Sequence, residues 1–203
     1  ERTIVSDQAG TTRDAIDVFF KHPTGSYRLI DTAGLRRKSR IKDKIEKYSN
    51  LRTEAAVKRS DVCLIMIDAL DGITEQDTKV AGLAHNNGKA AIFVINKWDL
   101  IVNKQELMSE IMVDIKNRFN FMSYAPLIFV SAKTGQRIDK IFNLITQVYV
   151  EANKRLSTTV INEVLAEAMA MNPTPQDKGR RLKILYATQV AVGPPQFIFF
   201  VNN

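Results

Sequence analysis

Four short clusters in this chain of 203 residues combine residue types that handle phosphate, magnesium and a purine base. Asp31-Thr32-Ala33-Gly34 sets a carboxylate ahead of a glycine. The carboxylate can hold Mg²⁺ through water, and the glycine lets a backbone N–H approach a terminal phosphate. In Asn96-Lys97-Trp98-Asp99 the carboxylate can accept two hydrogen bonds from the edge of guanine, an arrangement adenine does not offer. The Lys97 stem and Asn96 can wall the base and tie neighbouring loops, while Trp98 reads as packing. Ser131-Ala132-Lys133 would bring a backbone N–H to the base oxygen. Gly10-Thr11-Thr12-Arg13-Asp14 carries hydroxyls on a loop; such a hydroxyl ligates Mg²⁺ only while a γ-phosphate is present, which makes a switch. Taken singly these patterns are weak. An Asp-x-x-Gly is common, and a Thr-Thr pair in a loop is as readily just solvated.

Their placement gives them weight. Ala15–Phe20 and Tyr27–Asp31 are β-rich and flank Pro23-Thr24-Gly25-Ser26, which reads as a hairpin. Three nearly continuous apolar runs follow, Val62–Asp68, Ala90–Asn96 and Leu127–Ser131, as expected of strands buried on both faces of a parallel sheet. Helical patterns over Glu75–Asn87, Lys104–Phe119 and Arg137–Arg155 separate them, the first stopped by Asn86-Asn87-Gly88. This order predicts an α/β fold with a doubly wound, mostly parallel sheet. Three of the four clusters then fall at successive strand ends, where such sheets bind ligands, and the fourth lies ahead of the first strand.

After Arg155 the pattern changes. Ser157 and Thr158 offer an N-cap for an amphipathic helix to about Met171, which Asn172-Pro173-Thr174-Pro175 breaks. Two β-rich runs follow, Leu182–Val190 and Gln196–Val201, on either side of Gly193-Pro194-Pro195. A helix and two strands bury little core alone, so residues 156–203 are expected to be part of an α+β domain, after a first domain over 1–155. No internal repeat or low-complexity tract is present.

Composition narrows the classes. The formal net charge of +7 favours an anionic partner. Arg36–Lys47 holds seven basic residues against Asp43 and Glu46, which reads equally as a solvated face or as a nucleic-acid contact. No apolar stretch is long enough for a membrane span. The single cysteine, Cys63, sits in an apolar run and reads as a small buried hydrophobe, which points to the reducing cytosol. His22 and His85 lack metal-ligand spacing and read as surface or boundary residues, and Met108 and Met112 read as a helix's core stripe.

The set Gly10–Asp14, Asp31–Gly34, Asn96–Asp99 and Ser131–Lys133 resembles the second to fifth G motifs of translation-factor-class P-loop GTPases of the Ras/Era-like type, Era subgroup. Asp31–Lys38, Ile45-Glu46-Lys47-Tyr48-Ser49 and Lys178-Gly179-Arg180-Arg181-Leu182-Lys183 are more narrowly similar to one family, EngA (Der), the bacterial ribosome-assembly GTPases with tandem G domains and a KH-like domain. The resemblance implies a cytoplasmic switch protein that binds GTP and GDP with Mg²⁺. Its partners would be the large ribosomal subunit and its rRNA, and the first G domain of the same protein; neither membrane nor DNA is implied. It implies guanine-nucleotide contacts at Asp31, Thr32, Ala33, Gly34, Asn96, Lys97, Asp99, Ser131, Ala132 and Lys133. Thr12 and Gly34 would serve hydrolysis, with Thr12 on Mg²⁺ directly and Asp31 through water. Backbone carbonyls of Ser6 and Gln8 would help to hold a K⁺ ion.

Two departures qualify this reading, the absence of the phosphate-binding loop and of the first G domain, and two further residue patterns bear on mechanism and on the alternative. None of the nine glycines begins the phosphate-binding pattern G-x-x-x-x-G-K-[ST]. In the family that loop lies one helix upstream of Glu1, so the chain reads as a fragment. Leu35 stands where Ras-like enzymes place a water-orienting glutamine, so the hydrolytic group must come from elsewhere. No G-x-x-G occurs, so the backbone clamp of RNA-binding KH domains is not encoded. A non-catalytic ribosome- or RNA-binding module is the alternative expectation. Another Era-class enzyme, such as the tRNA-modifying relative, fits less well because of the tail after Arg155.

Overall fold

A computed structural model of the protein describes residues 17–30, 53–172, 174–177 and 180–202. Its centre is a parallel sheet of β3 (Val62–Asp68), β4 (Ala90–Asn96) and β5 (Leu127–Phe129), with β4 in the middle. Alternation along β4 sends Phe93 and Ile95 to one face and Ile92 and Val94 to the other, all fully buried. The first face packs with Ile65, Ile67, Trp98, Ile111, Phe119, Met122 and Phe129, beneath α1 (Glu75–Asn86) and α2 (Lys104–Arg118). The second is covered by α3 (Ile138–Ala152) through Ile141, Leu144, Ile145 and Val148. Helices thus lie on both faces, as the doubly wound expectation requires.

Local chemistry sets the helix ends. Thr74 accepts from the Asp77 amide while the Asp77 carboxylate accepts from the Thr74 amide at 2.8 Å, a reciprocal cap that starts α1. Gly88 ends its turn at φ +63°, and a Cβ there would lie 2.5 Å from Cβ of Pro194, so the glycine also admits the tail against the sheet. The stripe that α2 turns to the core is Leu107, Ile111 and Ile115. Met108 and Met112, expected to form it, are exposed, at 37% and 54%. They sit one position round the helix from the buried line, and that rotation carries them to solvent. Cys63 is partly buried and hydrogen-bonds Ser60.

The hairpin expected ahead of the sheet forms from β1 (Asp17–His22) and β2 (Gly25–Ile30). Among the described residues it has no ladder to β3. Side chains hold it instead. His22 stacks on Phe142 of α3 at 4.2 Å between ring centres, Phe20 meets the same ring edge-on, and the Tyr27 hydroxyl lies 3.2 Å from that of Thr146. At its other end Asp17 takes Arg28 across the hairpin and Arg59 from the helical residues 53–59.

The tail begins with α4 (Thr158–Met171), capped by Ser157, whose hydroxyl accepts from the Val160 amide. Two short strands, β6 (Gln176–Asp177) and β7 (Arg180–Arg181), precede the hairpin of β8 (Ile184–Ala191) and β9 (Gln196–Val201). Asn162 of α4 binds β8 through both halves of its amide, accepting from Ala187 N at 2.8 Å and donating to Ala187 O at 3.0 Å. Gln189 of β8 binds the segment between α3 and α4. It is 3% exposed, its Oε1 accepts from Leu156 N at 2.7 Å, and its Nε2 donates to Lys154 O at 3.2 Å. Every described residue of β9 is exposed, so this unit buries little apolar surface.

Candidate guanine-recognition site

The three parallel strands end side by side, and the residues that follow β4 and β5 build one rim. Asn96 closes β4, and its Oδ1 accepts from the Ala132 amide at 2.9 Å. The chain then turns through Lys97, which adopts a left-handed conformation at φ +63°. This reversal drives Trp98 inward. Trp98 is 3% exposed, donates its amide to Val130 O at 3.0 Å, and packs on Phe129 with ring centres 4.4 Å apart. The next side chain, Asp99, is left on the rim. Burying a large ring beside a half-buried acid restrains the acid's direction, because the loop cannot rotate without expelling the indole.

The Ser131–Lys133 loop is fastened equally well. Ser131 is fully buried, its amide donates to Gln136 O at 3.1 Å, and its hydroxyl oxygen accepts from the Thr134 amide at 3.1 Å. That hydroxyl also bonds the Asp99 carboxylate, the main cause that holds Asp99 below the usual carboxylate range; burial pushes the other way, and Lys133 and Lys104 add attraction. Asp99 is therefore ionised at neutral pH, with its oxygens acting only as acceptors. Lys97 reaches back to Asp68 at the end of β3, its Nζ 2.5 Å from Oδ2.

The structure thus brings together Asn96, Lys97, Asp99, Ser131, Ala132 and Lys133 from the expected set. Thr12, Asp31, Thr32, Ala33, Gly34, Ser6, Gln8 and Leu35 lie outside the described residues. Among the described residues no three His, Cys, Asp or Glu side chains gather for a metal, and no helix is long and apolar enough to cross a membrane. Sequence reasoning missed Asp68. Its available signal was an acidic residue closing an otherwise apolar strand, in ladder register with Asn96.

The chain resembles known proteins along its whole length. The family described as "50S ribosome-binding GTPase" matches residues 1–97, and "KH-domain-like of EngA bacterial GTPase enzymes, C-terminal" matches residues 155–203. GTPase Der of Acetivibrio thermocellus is 55% identical over 203 residues, and GTPase Der of Alkaliphilus oremlandii is 54% identical over the same span. Each match takes in all of this chain and 46% of the relative, so the chain spans about half the length of these curated relatives. Among solved structures, Era in complex with MgGDPNP and nucleotides 1506–1542 of 16S ribosomal RNA is similar at a TM-score of 0.62 and 21% identity, covering 93% of this chain and 63% of that one. The elongation factor SelB of Methanococcus maripaludis, bound to the GTP analogue GppNHp, gives a TM-score of 0.55 at 22% identity over 68% of this chain and 28% of that one. At these identities the solved structures speak to the fold alone, a P-loop GTPase α/β domain.

Proposed function

The chain belongs to the EngA (Der) family of GTPases, and from that premise we propose that it is the guanine-reading and switch portion of a protein that binds and hydrolyses GTP while acting in assembly of the large ribosomal subunit. The observation that carries the reading is Asp99, ionised on the rim between two loops locked by the Asn96–Ala132 and Ser131–Thr134 hydrogen bonds. Its two oxygens suit the paired N–H donors of guanine. The Ala132 amide donates to Asn96 Oδ1, which ties the two base-reading loops together.

In this proposal Thr12 and Asp31 serve Mg²⁺, Asp31 through water, and Thr32, Ala33 and Gly34 line the terminal phosphate. The ion would neutralise charge on the phosphates. Leu35 has no group that can orient water; a K⁺ ion, which the carbonyls of Ser6 and Gln8 would help to hold, would supply charge at the phosphates in its place. The division at residues 155 and 156, the cytoplasmic setting and the contact with a first G domain belong to the same proposal. The family description naming 50S ribosome binding supports the large subunit as partner, and the basic residues after Leu35 supply the charge for rRNA.

The test is Asp99→Asn in the protein at its full natural length. Exchanging the carboxylate for an amide swaps one acceptor for a donor, so preference should move from guanosine to xanthosine nucleotides. Fluorescent GDP and XDP titrations read the result: an XDP site should be gained while the first G domain keeps its GDP site, and no gain of XDP binding removes the assignment of Asp99 to the base.

A further inference from the structure

Asp68 ends β3 directly opposite Asn96 in the parallel ladder. Its side chain is held on three sides. Oδ1 accepts from the Leu70 amide at 3.0 Å, the Asp71 amide also bonds it, and Oδ2 meets Nζ of Lys97 at 2.5 Å. The backbone around it is closed too, since Gly72 N donates to Asp68 O and Ala69 N donates to Asn96 O, each at 3.0 Å. Asp68 is 24% exposed and Lys97 51% exposed, so the carboxylate is the fixed partner and the lysine the mobile one. A lysine in a left-handed turn at a strand end would otherwise sample many rotamers. Here its charged end is tied across the end of β3, which restrains the four-carbon stem that follows Asn96.

We propose that Asp68 is a positioning residue of the nucleotide site: it holds Lys97 by its ammonium so that the stem stands as a preformed wall for one face of the base. The inference rests on the guanine reading of the Asn96–Asp99 loop. It assigns to the end of β3 a part in nucleotide affinity that the G motifs themselves do not contain. A preformed wall spends no side-chain ordering at the moment of binding, so its loss shows as weaker affinity and faster release.

The experiment is a double-mutant cycle in the full-length protein, with fluorescent GDP as probe and binding resolved into the separate sites that tandem G domains imply. Asp68→Asn keeps an oxygen for the Leu70 and Asp71 amides and removes the charge that Lys97 needs; Asp68→Ser is the second variant should the first not fold. Either is expected to weaken GDP by about tenfold, within the coupling range of contacting pairs. In a Lys97→Ala background the same substitution should change affinity by less than about twofold. Wild-type affinity in Asp68→Asn, or an equal loss with and without Lys97, overturns the inference while leaving the guanine site intact. Failure of the wild-type protein to bind GDP overturns both.

Discussion

Gln189→Leu isolates the joint between β8 and the segment that links α3 to α4. Leucine has similar volume but neither accepts from Leu156 N nor donates to Lys154 O. An unpaired buried polar group costs about 1–3 kcal/mol. Lys154 is exposed and Leu156 half-buried, so water replaces the bond at the Lys154 carbonyl and the loss concentrates on the Leu156 N–H. The expected total is about 2 kcal/mol. With a urea slope of about 2 kcal/mol per molar, the unfolding midpoint of the 203-residue chain should fall by about 1 M. Circular dichroism follows the transition, and hydrogen exchange at the Leu156 amide reports the site itself; both should change. A midpoint within about 0.2 M of wild type, with that amide still protected, would refute the assignment of Gln189 as the joint.

Other expectations follow from the same contacts and from the family. Hydrogen bonding from Arg28, aided by Arg59 and opposed by burial, holds the Asp17 carboxyl below its ordinary value of 3.8. Its contribution is present above that value and fades as pH falls through the lowered one. Thermal melts between roughly pH 7 and pH 2.5 should therefore find Asp17→Asn less stable than wild type near neutrality, with the two curves converging in acid; parallel curves would exclude the clamp. The full-length protein should hydrolyse GTP faster in K⁺ than in Na⁺, and equal rates would remove the ion from the reading. The 203-residue chain, without a G-x-x-x-x-G-K-[ST] loop, should bind GTP weakly and hydrolyse it hardly at all. Micromolar affinity with turnover on that polypeptide would contradict this.

What was legible in the sequence was whatever depends on local pattern. The apolar run at β4 shows its burial in composition, whereas the similar run at β3 is only partly buried, with Met66 49% exposed; Asn96–Asp99 shows its chemistry in residue type, so the guanine-reading rim could be placed at strand ends. Partnerships across sequence were less visible. Nothing in the run Leu182–Val190 marks Gln189 as the residue that reaches back 33 positions to Leu156. Asp68 reads as the polar end of a strand until ladder register sets it beside Asn96. Met108 and Met112 show how an i, i+4 pair can be apolar and still miss the core, since Leu107, Ile111 and Ile115 make a parallel line one position away. The β1–β2 hairpin was plain from its β-rich segments around Pro23-Thr24-Gly25-Ser26, but its berth on Phe142 depends on α3, far along the chain.

The buried indole on the guanine-reading rim has an optical consequence. Trp98 is the sole tryptophan of the chain, it is shielded from water against Phe129, and it is covalently adjacent to Asp99. Excitation at the red edge of protein absorbance therefore interrogates a single chromophore next to the base-reading acid, with no second tryptophan to dilute the signal. Quenching, lifetime and anisotropy measured on the natural protein segment thereby become local readings of that loop, without an attached dye.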